Sequence, residues 1–93
     1  FSSAKYSTAE HALTEHEVKH HLTNMHVRGF QTHPEREKLV QDTILARRRG
    51  DGKISLQQVY ELLTHLKDAN QITKYDRDDV MNILLELYKQ KGA

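Results

Sequence analysis

The fold is decided by residues 47–58, which read RRRGDGKISLQQ. Three consecutive arginines complement the dipole at the C-terminus of a helix, and the glycine that follows them has the backbone freedom with which helices end. Ser55 and Gln58 then form a capping box, in which the hydroxyl accepts from a first-turn N–H and the amide reaches back to the cap. The segment therefore predicts a loop between two helices.

Helix signals recur on both sides of this loop. Further candidate capping boxes are Ser7–Glu10, Thr14–Glu17, Thr32–Glu35 and Thr73–Asp76. Candidate stop signals are Gly29, Gly50, Asn70 and Gly92. They predict helices over residues 8–25, 33–48, 56–68 and 74–90, and either of the first two boxes fits the first helix.

Apolar periodicity supports the same four helices. The stripes include Val18, Leu22 and Met25 in the first helix, Leu56, Val59, Tyr60, Leu63 and Leu66 in the third, and Val80, Leu84, Leu87 and Tyr88 in the fourth. No stretch alternates with the period of two that is typical of strands. We therefore expect an all-α domain of four helices over residues 7–93, with residues 1–6 as a flexible tail.

Composition excludes several classes of function. A chain of 93 residues forms one small domain, and a net charge of +1 does not by itself recruit nucleic acid or an anionic membrane. The absence of cysteine excludes disulfides, thiolate zinc sites and thiol nucleophiles. The longest aliphatic run, Ile83–Leu85, is far shorter than the roughly 20 residues of a membrane helix, so we expect no membrane partner.

The loop resembles the calcium loop of the EF-hand family, and the resemblance extends over residues 36–67. Asp51, Gly52 and Ser55 fall on its fifth, sixth and ninth positions, which the family uses for two ligands and a sharp turn. Ile54 falls on the eighth, where the family carries an aliphatic residue that pairs two loops through a short β-bridge. The resemblance implies a four-helix EF-hand-like domain.

The ligand positions depart from the family's pattern. Arg47 and Arg49 occupy the first and third positions, and Gln58 replaces the bidentate glutamate at the twelfth. Two cations repel a divalent ion, so Asp51, Ser55 and Gln58 predict at most a weak calcium site. An ordinary helical hairpin, unrelated to EF-hands, accounts for the same residues.

A second loop, with which the family pairs the first, has two candidates. Gln71–Thr73 imitates the pairing segment but lies too close to Ile54 for a standard pair. Asn24–Glu35 reads as a heavily decayed loop that contains Gly29 and Phe30. The sequence leaves the choice open.

His16, Glu17 and His20 satisfy the His-Glu-x-x-His pattern, which places two imidazoles on one helix face for zinc, with the glutamate as general base. The string resembles that of the zincins. These enzymes keep uncharged residues between the glutamate and the second histidine, whereas this chain has Lys19 there, and a helical chain this short is smaller than a zincin domain. A zinc hydrolase is therefore a remote alternative. We expect no enzyme and no cofactor, with Glu17 serving as a helix cap on a solvated face.

Six of the seven histidines lie in residues 1–46, which otherwise hold five cations and six anions. Acidification therefore changes the charge of this half more than any other solvent change does. His16, His20 and His21 form the densest group and predict a pH-sensitive cluster.

A basic patch predicts nucleic-acid binding as the main alternative function. Its members are Arg47, Arg48, Arg49 and Lys53. The helix that would enter the groove of the nucleic acid opens with Asp76, Asp78 and Asp79, which phosphates repel. We therefore do not expect nucleic acid to be the partner.

The fourth helix carries more apolar surface than one core stripe requires. Its large apolar residues are Val80, Met81, Ile83, Leu84, Leu85, Leu87 and Tyr88, and they cover an arc of about 200° at 100° per residue. Either the core covers both flanks, or a partner covers one. We predict a partner surface at Met81, Leu85 and Tyr88, and hence a non-catalytic adaptor or scaffold that binds a peptide helix, another protein or a second copy of itself.

Overall fold

The computed structural model describes residues 6–24 and 27–92. Its elements are β1 (Glu10–Ala12), α1 (Glu15–Asn24), α2 (Arg28–Thr32), α3 (Pro34–Ala46), β2 (Lys53–Ser55), α4 (Leu56–Asp68) and α5 (Lys74–Gly92). The described chain is mostly helical, as the sequence predicts, but it adds a short helix and a small sheet. No described helix is long and apolar enough to cross a membrane.

The second half of the chain follows its sequence signals. Ser55 Oγ accepts from the Gln58 N–H at 3.1 Å, and Gln58 Oε1 accepts from the Ser55 N–H at 3.1 Å, so the predicted capping box opens α4. Asn70 ends it with a φ of 60°, in the left-handed region. The predicted box of Thr73 and Asp76 is also formed, with both hydrogen bonds present.

The first helix begins later than predicted. Thr14 and Glu17 exchange both bonds of a capping box at 3.0 and 3.1 Å, and α1 starts at Glu15. The Ser7–Glu10 box is wrong, because Ser7 Oγ instead accepts from the N–H of Ala9. The residues after it are extended in β1, where they gain a strand partner from a distant part of the chain.

That partner is β2, which pairs antiparallel with β1. His11 lies opposite Ile54, and the Leu13 N–H continues the pairing with a 3.0 Å bond to the Gly52 carbonyl. Each strand has three residues. Such short strands are too brief for a period of two to be visible in the sequence, so the prediction of no strands is wrong.

The predicted second helix is divided in two. Thr32 ends α2, and its hydroxyl donates to the Gly29 carbonyl at 3.3 Å, so it does not cap the next helix. His33 is the N-cap of α3 without a side-chain hydrogen bond, and Pro34 takes the first helical position. Gly29 does not end a helix but lies inside α2. A β-carbon at this position would collide with the carboxylate of Asp76, which explains why the residue is glycine.

Tyr6, which we expected in a flexible tail, belongs to the core. Its ring lies 5.0 Å from that of Tyr60, and the Arg77 guanidinium lies 4.7 Å from the Tyr60 ring centroid. This stack ties the start of the described chain to α4 and α5. The rest of the predicted tail lies outside the described residues, as do Met25 of the first apolar stripe and His26.

The core draws on every described helix, on β2 and on Leu13, which directly follows β1. Its largest fully buried side chains include Leu13, Leu22, Ile44, Ile54, Leu63, Met81 and Leu84. Helix α5 packs against α4, α2, α1 and β1. Because α5 is central, its wide apolar arc is covered by the rest of the chain and needs no partner. The exception is Leu85, which stays half-buried.

Candidate functional site

An apolar groove of about 540 Å³ lies where α5 meets the start of α4 and the segment that leads into β1. Its lining residues are Ser7, Ala9, His11, Leu56, Leu85, Tyr88 and Lys89. We call this cavity the groove.

Backbone bonds hold one wall of the groove in place. The Gln57 N–H donates to the Ser7 carbonyl at 3.2 Å, which fastens the extended segment to the first turn of α4. The register of β1 with β2 then sets the position of His11. The wall is therefore built by tertiary pairing rather than by a helix.

Tyr88 anchors the opposite wall. Its hydroxyl donates to the Ile54 carbonyl at 2.8 Å, and the His11 ring meets the Tyr88 ring edge to face at 5.4 Å. Burial raises the pKa of the Tyr88 hydroxyl, and the nearby Glu17 carboxylate raises it further, so the hydroxyl remains a donor. The aromatic wall is thereby fixed by one buried hydrogen bond and one ring contact.

Leu85 and Lys89 complete the groove on the exposed side of α5. Leu85 packs against the core but stays half-buried, so part of its side chain remains in contact with solvent. Lys89 is exposed, and its ammonium lies 3.8 Å from the Glu86 carboxylate. An apolar surface with one cationic rim residue suits an apolar side chain of a ligand, flanked by an anion.

The predicted partner residues are only partly brought together. Leu85 and Tyr88 line the groove, but Met81 is fully buried in the core, so it has no surface to offer a partner. Several elements pack around α5, and this explains why Met81 is buried. Sequence reasoning missed Ser7, Ala9 and His11 as lining residues, because their place depends on the pairing of β1 with β2.

The loop oxygens that predicted a weak calcium site accept hydrogen bonds from the loop itself. Asp51 Oδ1 accepts from the Lys53 N–H at 3.1 Å, and Ser55 and Gln58 are engaged in the capping box of α4. Gly52, with a φ of 82°, makes the sharp turn that its sixth position implies. The carboxylate and the capping oxygens thus stabilise the turn and the helix start.

Neither predicted partner loop pairs with this one. The strand opposite Ile54 is β1, and His11 is its direct neighbour. Gln71–Thr73 instead leads into α5, with Ile72 buried. The described part of Asn24–Glu35 comprises the end of α1, all of α2 and the start of α3, so both candidates are wrong.

Two members of the predicted basic patch have structural roles. Arg48 donates to the carbonyls of Leu45 and Leu13 at 3.2 and 2.9 Å, and Arg49 pairs with Glu10 at 2.8 Å. Arg47 and Lys53 are exposed. Nucleic-acid binding stays a prediction, but two of the four cations of the patch are engaged in contacts within the chain and are less available to phosphates.

The zinc-like string does not present its glutamate to its histidines. Glu17 Oε1 accepts from the Thr14 N–H, and Glu17 Oε2 lies 2.7 Å from the Lys91 ammonium at the end of α5. Burial raises the pKa of Glu17, but the hydrogen bonds and charge of Lys91 and the hydrogen bonds of Thr14 outweigh it, so this pKa lies below its ordinary value. Glu17 is the cap that we expected, and it also joins two helices.

The histidines of the predicted pH-sensitive cluster contact one another on α1. The rings of His16 and His20 stack with centroids 5.5 Å apart and planes 16° apart. His21 meets His20 edge to face, also at 5.5 Å. The structure therefore brings this cluster together, and its role in pH sensing stays a prediction.

A second cavity, of about 660 Å³, lies between α2, α3 and the start of α5. It is lined mainly by polar side chains, among them Arg28, Arg36, Asp76 and Asp79. Arg36 pairs with the buried Asp76 at 3.3 Å. Opposite charges face each other across this cavity, so it favours neither an anionic nor a cationic ligand.

A scan against protein-family models and searches of curated proteins and of solved structures found no match.

Proposed function

We propose that this chain is a non-catalytic protein-interaction module, an EF-hand-like domain with a degenerate calcium loop, that binds an apolar peptide helix in the groove. The observation that carries the proposal is the half-buried Leu85 beside Leu56 and Tyr88, in a cavity large enough for side chains of a ligand.

The EF-hand-like part of the proposal draws support from the loop. Helix α3, the loop, β2 and α4 follow one another in the family's order, with a positive φ at Gly52 and a bridging strand residue at Ile54. The segment from β1 to α1 repeats the order of strand, capping box and helix. Pairing of two loops through short strands is what the resemblance implies, and β1 pairs with β2 in this way.

The proposed binding is constitutive. Sensor EF-hands open their groove when calcium draws carboxylates around the ion. Here Arg47 and Arg49 replace two of those carboxylates, and Gln58 is held in a capping box. The groove therefore stays accessible whether or not calcium is present.

The proposed partner is an amphipathic helix. Anchors at i and i+4 or i+7 fit the groove between α5 and the extended segment, and a carboxylate near one anchor would meet Lys89 at the rim. A module of this kind serves as an adaptor or scaffold.

The test is selection of helical peptides from a displayed library against the purified domain, followed by affinity measurement with groove variants. Leu85→Glu places a charge in the groove and should weaken selected peptides at least about tenfold, which corresponds to about 1.4 kcal/mol. Tyr75→Glu is the matched control, because Tyr75 is 77% exposed and lines the other cavity.

Two further measurements make the test decisive. Lys89→Glu changes an exposed rim residue without touching the core, so it should weaken acidic peptides even if Leu85→Glu also lowers stability. NMR shifts on peptide addition should concentrate on the groove. Selected peptides that bind all three variants equally would refute the proposal.

A further inference from the structure

We propose that His16 and His20 form a two-imidazole site for Cu²⁺ or Ni²⁺ on the outer face of α1, separate from the peptide groove. The two residues are one helical turn apart, both are exposed, and their ring centroids lie 5.5 Å apart, so rotation of the two side chains brings one nitrogen of each ring to the same ion. They line an open cavity of about 460 Å³ together with Glu15, Lys19 and Thr23.

The helix that carries the pair is held firmly in place. Val18 and Leu22 are buried on the opposite face, and the capping box of Thr14 with Glu17 fixes the first turn. The contact between Glu17 and Lys91 joins α1 to the end of α5. A metal ion would therefore meet two imidazoles on one face of an ordered helix, so the backbone loses little conformational freedom on binding.

The number of ligands favours copper and nickel over zinc. Among residues 6–24 and 27–92 there is no group of three His, Cys, Asp or Glu side chains that could hold one metal ion. Zinc sites in proteins take three or four protein ligands, whereas Cu²⁺ and Ni²⁺ accept a tetragonal set of nitrogen and oxygen that water completes. Affinity for nitrogen ligands also rises along the divalent series to Cu²⁺.

The neighbouring groups decide what the site does. The Glu15 carboxylate is paired with Lys19 at 3.0 Å, and Glu17 is bound to Thr14 and Lys91. Neither Glu15 nor Glu17 is thus placed to activate a metal-bound water. The inference is a metal-binding surface with open coordination positions, distinct from the hydrolase that the bare motif suggests.

The experiment is isothermal titration of the untagged chain with CuCl₂ and with NiCl₂ at neutral pH, on the parent and on single variants. Removal of an outer-shell partner alone typically costs 10–100-fold in metal affinity, so His16→Ala and His20→Ala should each weaken the site at least about tenfold. His65→Ala is the control, because His65 is an exposed histidine on α4. His21→Ala should change affinity little.

A spectroscopic readout complements the titration. Electron paramagnetic resonance of the Cu²⁺ complex should report two nitrogen ligands in the parent and a changed signal in His20→Ala. Alanine favours helix, so both histidine variants should keep α1 folded. Equal affinity in the parent and both variants, a stoichiometry other than one, or no binding would overturn the proposal.

Discussion

Gly29 of α2 lies against the carboxylate of Asp76 in α5. Asp76 is 2% exposed, accepts from the Thr73 N–H at 3.0 Å and pairs with Arg36 at 3.3 Å. Its carboxylate occupies the space that a side chain at position 29 would need. The glycine is therefore required by packing of α2 on α5, not by backbone conformation.

Gly29→Ala should lower the free energy of unfolding by about 1–3 kcal/mol, because overpacking displaces a buried, hydrogen-bonded carboxylate. Gly50→Ala is the matched control, since nothing lies within 4 Å of a β-carbon at that position. Urea unfolding of both variants measures the difference. Similar stability of the two would mean that Asp76 moves aside without cost.

The lowered pKa of Glu17 predicts how the free energy of unfolding depends on pH. Its pKa is lower in the folded chain than its ordinary value of 4.5, so its ionised form stabilises the fold at pH values above the unfolded pKa. This contribution is lost as the pH falls through the folded pKa. Glu17→Gln keeps the capping pattern but loses the charge that meets Lys91.

The stability difference between the parent and Glu17→Gln should therefore be largest near pH 7 and shrink below about pH 4.5. Urea unfolding with a chelator present, repeated across this range, measures it. Glu86→Gln serves as the control, because its contact with Lys89 is exposed and 3.8 Å long. A difference that stays constant with pH would contradict the role of the Glu17 charge.

At the scale of elements, Arg48 joins the end of α3 to the segment between β1 and α1. Its guanidinium donates to the carbonyl of Leu13, directly after β1, and to the Leu45 carbonyl of α3. Arg48→Ala leaves these acceptors without that donor and should cost about 1–3 kcal/mol. Arg47→Ala, at an exposed neighbour, should stay within about 0.5 kcal/mol of the parent. Equal effects in thermal unfolding would mean that the link is dispensable.

Helix α5 offers a comparison between a core face and a groove face. Leu84 is fully buried, so Leu84→Ala should cost about 2–5 kcal/mol. Leu85 is half-buried, and Leu85→Ala should cost clearly less. Chemical unfolding of the pair gives the ratio. Equal losses would mean that Leu85 also belongs to the core and is not available to a ligand.

The sequence predicted elements well where local signals decide them. Helices α4 and α5 begin at their capping boxes, at Ser55 and Thr73, because the side chains that satisfy the first turn are three residues apart. Strand β1 could not be predicted in this way. Its Ser7–Glu10 box has the same local pattern, and pairing with β2, more than 40 residues later, decides against the helix.

The same distinction applies to the groove. Leu85 and Tyr88 lie on the wide apolar arc of α5, so helical periodicity predicted two of the seven residues that line the groove. Met81 lies on the same arc of α5, and only the packing of several elements around that helix separates this fully buried residue from those that line the groove. His11 enters the site through strand register, which no local pattern encodes.

For the molecule as a whole, calcium is the decisive probe of the loop. Affinity of an EF-hand loop follows the number of its carboxylates, and Asp51 supplies one while Arg47 and Arg49 oppose the ion. Millimolar calcium should therefore leave the helix arrangement and the affinity for peptides unchanged. Isothermal titration at physiological salt should give no dissociation constant below about 10⁻⁴ M.

The triple variant Arg47→Asp, Arg49→Asp, Gln58→Glu turns this expectation into a positive test. It restores carboxylates at the first, third and twelfth positions, and a glutamate at position 58 still completes the capping box. If the loop has the EF-hand register, the variant should gain calcium affinity that the parent lacks. If the variant gains no calcium affinity while peptides still bind, the proposed peptide groove would be supported and the EF-hand assignment would be wrong. The two proposals can be separated because they depend on different residues.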